Sequence, residues 1–188
     1  MESLSPEYVA ALLALGRVCE AYRQRVGANA YLVGGAAVAI FTDGTFHSAD
    51  FDLVVAADDA FHEILLAHGF VPEDRQGKLR VGYYHPDHPQ FGWQLVTGPL
   101  FDGRSDKGLA VRVEIAKGSA VMLPPIEDLI ADRLAQYEVN RHDPSRLHQA
   151  ELLFQVADRL DMAYLRRRVL DEGGDISFLD AWDQDRQP

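Results

Sequence analysis

The sequence predicts an α+β protein: a small mixed β-sheet with flanking helices, followed by a helical C-terminal part. Two observations carry this. Between residues 30 and 123, short apolar runs alternate with turn-forming Gly, Asp and Pro clusters, the signature of brief strands. From Pro124-Pro125 onward, apolar residues recur at helical spacing instead. The expected units are residues 1–123, with an N-terminal helix, and residues 124–188.

The first element is a helix. Ser5 is placed to cap it, Pro6 suits its first position, and Glu7 lies at its positive end. Val9, Leu12, Leu13, Val18, Cys19 and Tyr22 form its apolar side, and Gly27 ends it. Cys19 is the only cysteine, so no intramolecular disulfide exists, and its apolar neighbours mark it as a core thiol.

Tyr31–Val33 reads as the first core strand, Ala36–Phe41 as a short helix and Phe51–Ala56 as the second strand. Asp58 is expected to cap a helix that runs through His68 and stops at Gly69. Lys78–Tyr84 and Phe91–Thr97 read as further strands, with the loop His85-Pro86-Asp87-His88-Pro89 between them. His-x-x-His with an intervening Asp invites a zinc reading. It is rejected because two prolines break any helical arrangement and no third strong ligand stands at a recognisable spacing. Val111–Ala116 and Ala120–Leu123 read as the arms of a hairpin around Lys117-Gly118-Ser119. Helices are then expected from Pro125 to about Val139, from Asp143-Pro144, from Asp161 to near Gly173-Gly174, and from Asp175 through Trp182, with a loose tail after Asp183.

The chemistry concentrates in residues 31–55, YLVGGAAVAIFTDGTFHSADFDLVV. Asp50 and Asp52 are two apart on a strand, so their carboxylates point to one face. Two acids held side by side repel, and a cation between them relieves this; hard oxygen ligands suit Mg²⁺. Gly34-Gly35, between a strand and a helix, removes side chains where backbone N–H groups could meet an anion. An anion cradle beside metal-binding acids is the equipment of phosphoryl transfer. A plainer reading stands beside this one: Asp50 as a turn residue, Asp52 at a strand edge, and the glycines serving only a tight turn.

Gly34-Gly35, a small residue, an intervening stretch and then Asp50-Phe51-Asp52 resembles the signature of the nucleotidyltransferase superfamily. The nearest types are the AbiEii-like toxin nucleotidyltransferases and the aminoglycoside or lincosamide nucleotidyltransferases. The resemblance implies a nucleotidyltransferase-like sheet on which Gly34 and Gly35 approach nucleotide phosphates and Asp50 and Asp52 hold Mg²⁺. It also implies a third carboxylate on a neighbouring strand. Two positions are open. Related chains often carry an acid near Gln94, but here the residue is an amide, which can coordinate weakly and cannot act as a base. Glu114 is the other candidate; alternatively it is a solvent-facing strand residue paired with a cation. In the helix from Ile126, Asp132-Arg133 resembles an Asp/Lys-type pair of AbiEii-like chains. Arg133 would neutralise the triphosphate in a cleft between the two parts; alternatively it pairs with a nearby helix acid. Where such families place an acid in the next helix, this chain has His148-Gln149.

The implied function is Mg²⁺-dependent transfer of a nucleoside monophosphate from a nucleoside triphosphate to an acceptor hydroxyl on tRNA, protein or a small molecule. The alternative is a catalytically impaired binding module, as in a toxin–antitoxin-like pair. Acceptor specificity would lie in the loops 42–48 and 98–108.

Composition narrows the partners. With 29 acids against 18 Lys plus Arg, the net charge is −11. That balance disfavours a broad nucleic-acid surface. The densest basic cluster, Arg166-Arg167-Arg168, reads first as a solvated helix face and second as a contact for an acidic partner or RNA backbone. No secretory signal is seen, and the longest mostly apolar run, Tyr31–Phe41, is too short for a bilayer. The expected location is the cytoplasm.

Overall fold

Helix α1 spans Pro6–Val26 with the ends its residues dictate. Ser5 Oγ accepts from the Tyr8 N–H at 3.2 Å, and Gly27 closes the helix in the left-handed region. The computed structural model describes residues 3–73 and 82–186. The chain divides into two compact units, Met1–Pro124 and Pro125–Pro188.

In the first unit, β1 (Tyr31–Val33), α2 (Gly34–Phe41), β2 (Asp50–Val54), α3 (Asp58–Ala67), β3 (Val71–Pro72), β4 (Gly82–Tyr84), β5 (Gly92–Leu95), β6 (Val111–Ala116) and β7 (Ser119–Leu123) follow in order. Among the described residues these strands form one mixed sheet in the order β3-β4-β5-β2-β1-β7-β6. Pairing of β1 with β2 is antiparallel, and β2 with β5 and β1 with β7 are parallel.

One face of the sheet is the core. Phe51 and Trp93 are fully buried and stacked, with centroids 5.4 Å apart. Tyr8 of α1 lies 5.1 Å from the Phe51 ring. Tyr22 holds α1 to the end of β2: its hydroxyl accepts from the backbone N–H of Ala56 and Ala57 at 3.1 and 2.9 Å. Cys19 is 6% exposed, and burial pushes its thiol pKa up to about 12, as fits a core thiol. On the other face, Tyr31, Val33, Val54 and Leu100 form a smaller buried cluster, flanked by Phe101, Ala110 and Met122.

In the second unit, α4 (Ile126–Val139) packs against α5 (Ser145–Val156) and α6 (Met162–Glu172), and α7 (Ser177–Arg186) follows. Leu129, Ile130, Leu134, Leu153, Phe154, Leu165 and Val169 are buried. Beneath them lies a polar network. Asp128 Oδ1 accepts from Arg168 Nε at 2.5 Å, and both Asp128 oxygens accept from the Tyr164 hydroxyl at 3.0 Å. Arg168 also donates to Glu172 at 2.5 Å.

Several expectations change. The arginine triplet is no continuous solvated face, because successive helical positions point about 100° apart. Arg168 is wholly buried, Arg166 pairs with Asp180, and Arg167 lies over the Tyr164 ring, 5.0 Å from its centroid. Asp58 is the first residue of α3 and not its cap; with Asp59 it complements the positive helix end. Helix α2 begins at Gly34, two residues earlier than expected, and α7 continues past Trp182 to Arg186. Strand β3 had no sequence signal, since two residues cannot show alternation. Of the expected strand Lys78–Tyr84, residues 78–81 lie outside the described residues. Among the described residues no helix is long and apolar enough to cross a membrane.

Candidate active site

Register places the acids. Asp50, Phe51 and Asp52 open β2, and burial alternates along them: exposed, buried, half-buried. Anchoring Phe51 in the aromatic core turns both carboxylates to the opposite face. Antiparallel pairing sets Val33, the last residue of β1, against Asp52. The chain therefore leaves β1 into Gly34 directly beside the Asp52 carboxylate.

Gly34 has φ +67°, a conformation that L side chains rarely adopt. A Cβ there would stand 2.4 Å from Asp52 Oδ2. A Cβ on Gly35 would stand 2.9 Å from Ser48 Oγ. Ser48 in turn donates to the Asp50 carbonyl at 2.8 Å. On the neighbouring β5, Gly92 pairs with Asp50, and a Cβ on Gly92 would stand 2.7 Å from Asp50 Oδ1. The Asp52 carboxylate thus lies against the main chain at Gly34, and the Asp50 carboxylate against Gly92.

Gln94 occupies the position beside Asp52 in the parallel register of β2 and β5. It is exposed on the same face. Glu114 is not at this place. It lies on the edge strand β6, opposite Ala120 of β7, with β7 and β1 between it and β2. Three strand spacings of about 4.8 Å put it roughly 14 Å away across the sheet. Its carboxylate is 3.7 Å from Arg112 and largely exposed, the surface-pair alternative. Arg133 belongs to the second unit. Its guanidinium bonds Asp132 at 3.0 and 2.5 Å and Gln149 at 3.4 Å.

Two neighbours of the acids, Ser48 and Gly92, were missed by sequence reasoning, as was a more distant acid, Glu73. The Glu73 carboxylate folds over Gly82, where a Cβ would stand 2.9 Å from its Oε2. Gly82 is the β4 partner of Gln94, so this acid stands beyond Gln94 from Asp52. A serine two residues before an acid is a weak turn signal; Gly92 and Glu73 depend on strand order, which no local pattern carries.

The donor set fits a hard divalent cation: two carboxylates and an amide carbonyl oxygen in a cradle that a single Cβ would fill. Among the described residues no group of three or more His, Cys, Asp or Glu gathers to hold a metal ion. His85 and His88 have rings 5.2 Å apart, and the Asp87 N–H donates to His85 Nδ1 at 3.2 Å. Burial, then the adjacent His85, holds the His88 pKa below the ordinary histidine value.

The solution structure of the antibiotic-resistance factor ANT(2'')-Ia superimposes with a TM-score of 0.57 at 12% identity, covering 94% of this chain and 96% of that one. The fold is nucleotidyltransferase-like. A crystal structure of an antigenic nucleotidyltransferase-like protein from Paracoccidioides brasiliensis agrees, with a TM-score of 0.57 at 16% identity over 93% of this chain and 88% of that one. No protein-family model matches the chain, and no curated protein matches its sequence. In this nucleotidyltransferase-like fold, Gly34, Gly35, Asp50 and Asp52 stand together at the end of β1 and the start of β2.

Proposed function

We propose that this chain is a Mg²⁺-dependent nucleotidyltransferase that moves a nucleoside monophosphate from a nucleoside triphosphate to an acceptor hydroxyl. The observation that carries the reading is the approach of Gly34 to Asp52, with Gly92 clearing space beside Asp50. Asp50 and Asp52 hold the cation, and Gly34 and Gly35 let the triphosphate come close to the main chain. Bound Mg²⁺ offsets phosphate charge and favours attack at the α-phosphorus. The acceptor oxygen bonds to that phosphorus, the bridge to the β-phosphate breaks, and pyrophosphate leaves with the electron pair. The hydroxyl proton must go elsewhere than Gln94, because an amide cannot take it.

The test is Asp52→Ala. Calorimetric titration with a triphosphate and Mg²⁺ is expected to show binding in the wild type and none in the variant, with an unchanged circular-dichroism spectrum. Equal affinity in both proteins counts against the assignment.

The acceptor is a tRNA end, a protein or a small molecule. Likeness in fold to an antibiotic-resistance factor makes an antibiotic-sized acceptor the first to try. Within the superfamily, the pair Asp132-Arg133 favours the AbiEii-like type. Gln94 beside Asp52 favours a second reading, a nucleotide-binding module without transfer, as in a toxin–antitoxin-like pair. Incubation with labelled ATP, CTP, GTP and UTP separates the two: pyrophosphate release or a labelled acceptor supports the enzyme, and binding without either supports the module.

A further inference from the structure

We infer that the strands of this site hold one divalent cation per bound triphosphate, and that Gln94 is the residue that sets this number. The inference rests on the proposed nucleotide reading. Its starting point is the pairing of β2 with β5: Gly92 opposite Asp50 and Gln94 opposite Asp52. Two divalent cations, held about 3.5–4 Å apart in two-metal sites, repel one another strongly. A second ion therefore needs additional negative charge within direct reach. Among the described residues, the carboxylates that stand next to each other on this face of the strands are Asp50 and Asp52. Gly92 offers no side chain. Gln94 offers a neutral carbonyl oxygen, a hard ligand without the charge.

The next acids on the sheet do not close the gap. Glu73 sits over Gly82, two strands from Asp52, or roughly 10 Å at ordinary strand spacing. Glu114 is three strands away on the other side and pairs with Arg112. Gln94 thus stands between Asp52 and Glu73, at a position where an added carboxylate would join the aspartate pair. Two charges and one neutral oxygen match a single cation accompanying the triphosphate.

The measurement counts ions directly, without turnover. Free Mn²⁺ is followed by electron paramagnetic resonance while the full-length protein is titrated in the presence of a saturating α,β-methylene triphosphate, with a protein-free nucleotide control. The wild type is expected to bind one Mn²⁺ per bound nucleotide, Gln94→Ala also one, and Gln94→Glu two. Gln94→Asp serves as a second acid variant, and thermal melts of all proteins confirm folding. Two ions in the wild type, or one in both folded acid variants, overturns the inference and leaves nucleotide binding in place. Failure to bind nucleotide at all refutes the nucleotide reading itself and this inference with it.

Discussion

Replacing Gly34 with Ala separates two effects that the structure superimposes at this position. The first is backbone strain: φ is +67°, and a left-handed L residue costs about 1–2 kcal/mol. The second is collision: the new Cβ would lie 2.4 Å from Asp52 Oδ2, far inside contact distance. That oxygen ends a short rotatable side chain, so the carboxylate turns aside at about 0.5–1.5 kcal/mol for an off-rotamer angle. The sum is about 1.5–3.5 kcal/mol of stability. Gly27 supplies the control. Its φ is +74°, and a Cβ there would meet nothing within 4 Å. Gly27→Ala should therefore lose only the backbone part, about 1–2 kcal/mol. Urea unfolding measures both losses, and calorimetry with a triphosphate and Mg²⁺ measures binding. Gly27→Ala is expected to bind as the wild type does, and Gly34→Ala to lose binding because its acid has been displaced. Wild-type affinity in folded Gly34→Ala would refute the claim that glycine and aspartate share one binding site.

Two stability predictions concern other sites. Asp128→Ala leaves the buried Arg168 without its main partner and should cost about 3–5 kcal/mol by urea unfolding; a loss under 1 kcal/mol refutes the role given to this network. Glu20 accepts from Arg23 and Arg112 at 2.9 and 2.7 Å, and these two bonds hold its pKa below the usual carboxylate value. A lowered folded pKa stabilises at pH above the ordinary glutamate range and is lost as pH falls through the folded value. Glu20→Gln should therefore destabilise at neutral pH and unfold with a shallower acid dependence; an identical acid limb counts against it.

Local chemistry made much of this molecule readable. Ser5, Pro6 and Gly27 mark both ends of α1, and alternation around Phe51 fixes the shared face of Asp50 and Asp52. Gly34-Gly35 announces the strand-to-helix turn. What stayed hidden depends on contacts distant in sequence. Strand order decides between Gln94 and Glu114: both alternate correctly on their own strands, but only β5 lies beside β2. Gly92 looked like an ordinary member of an apolar run until pairing set it against Asp50. Arg168 looked solvated because its partner, Asp128, is forty positions earlier.

The stack of Phe51 on Trp93 ties the aspartate pair to the protein interior. Each ring sits between two residues of the site: Asp50 and Asp52 on one strand, Gly92 and Gln94 on the other. The acids cannot spread apart without prising open the aromatic layer underneath. Ligand affinity and the emission of Trp93 should then fade together on heating, so the indole is a built-in optical gauge of whether the metal-binding pair still stands in place.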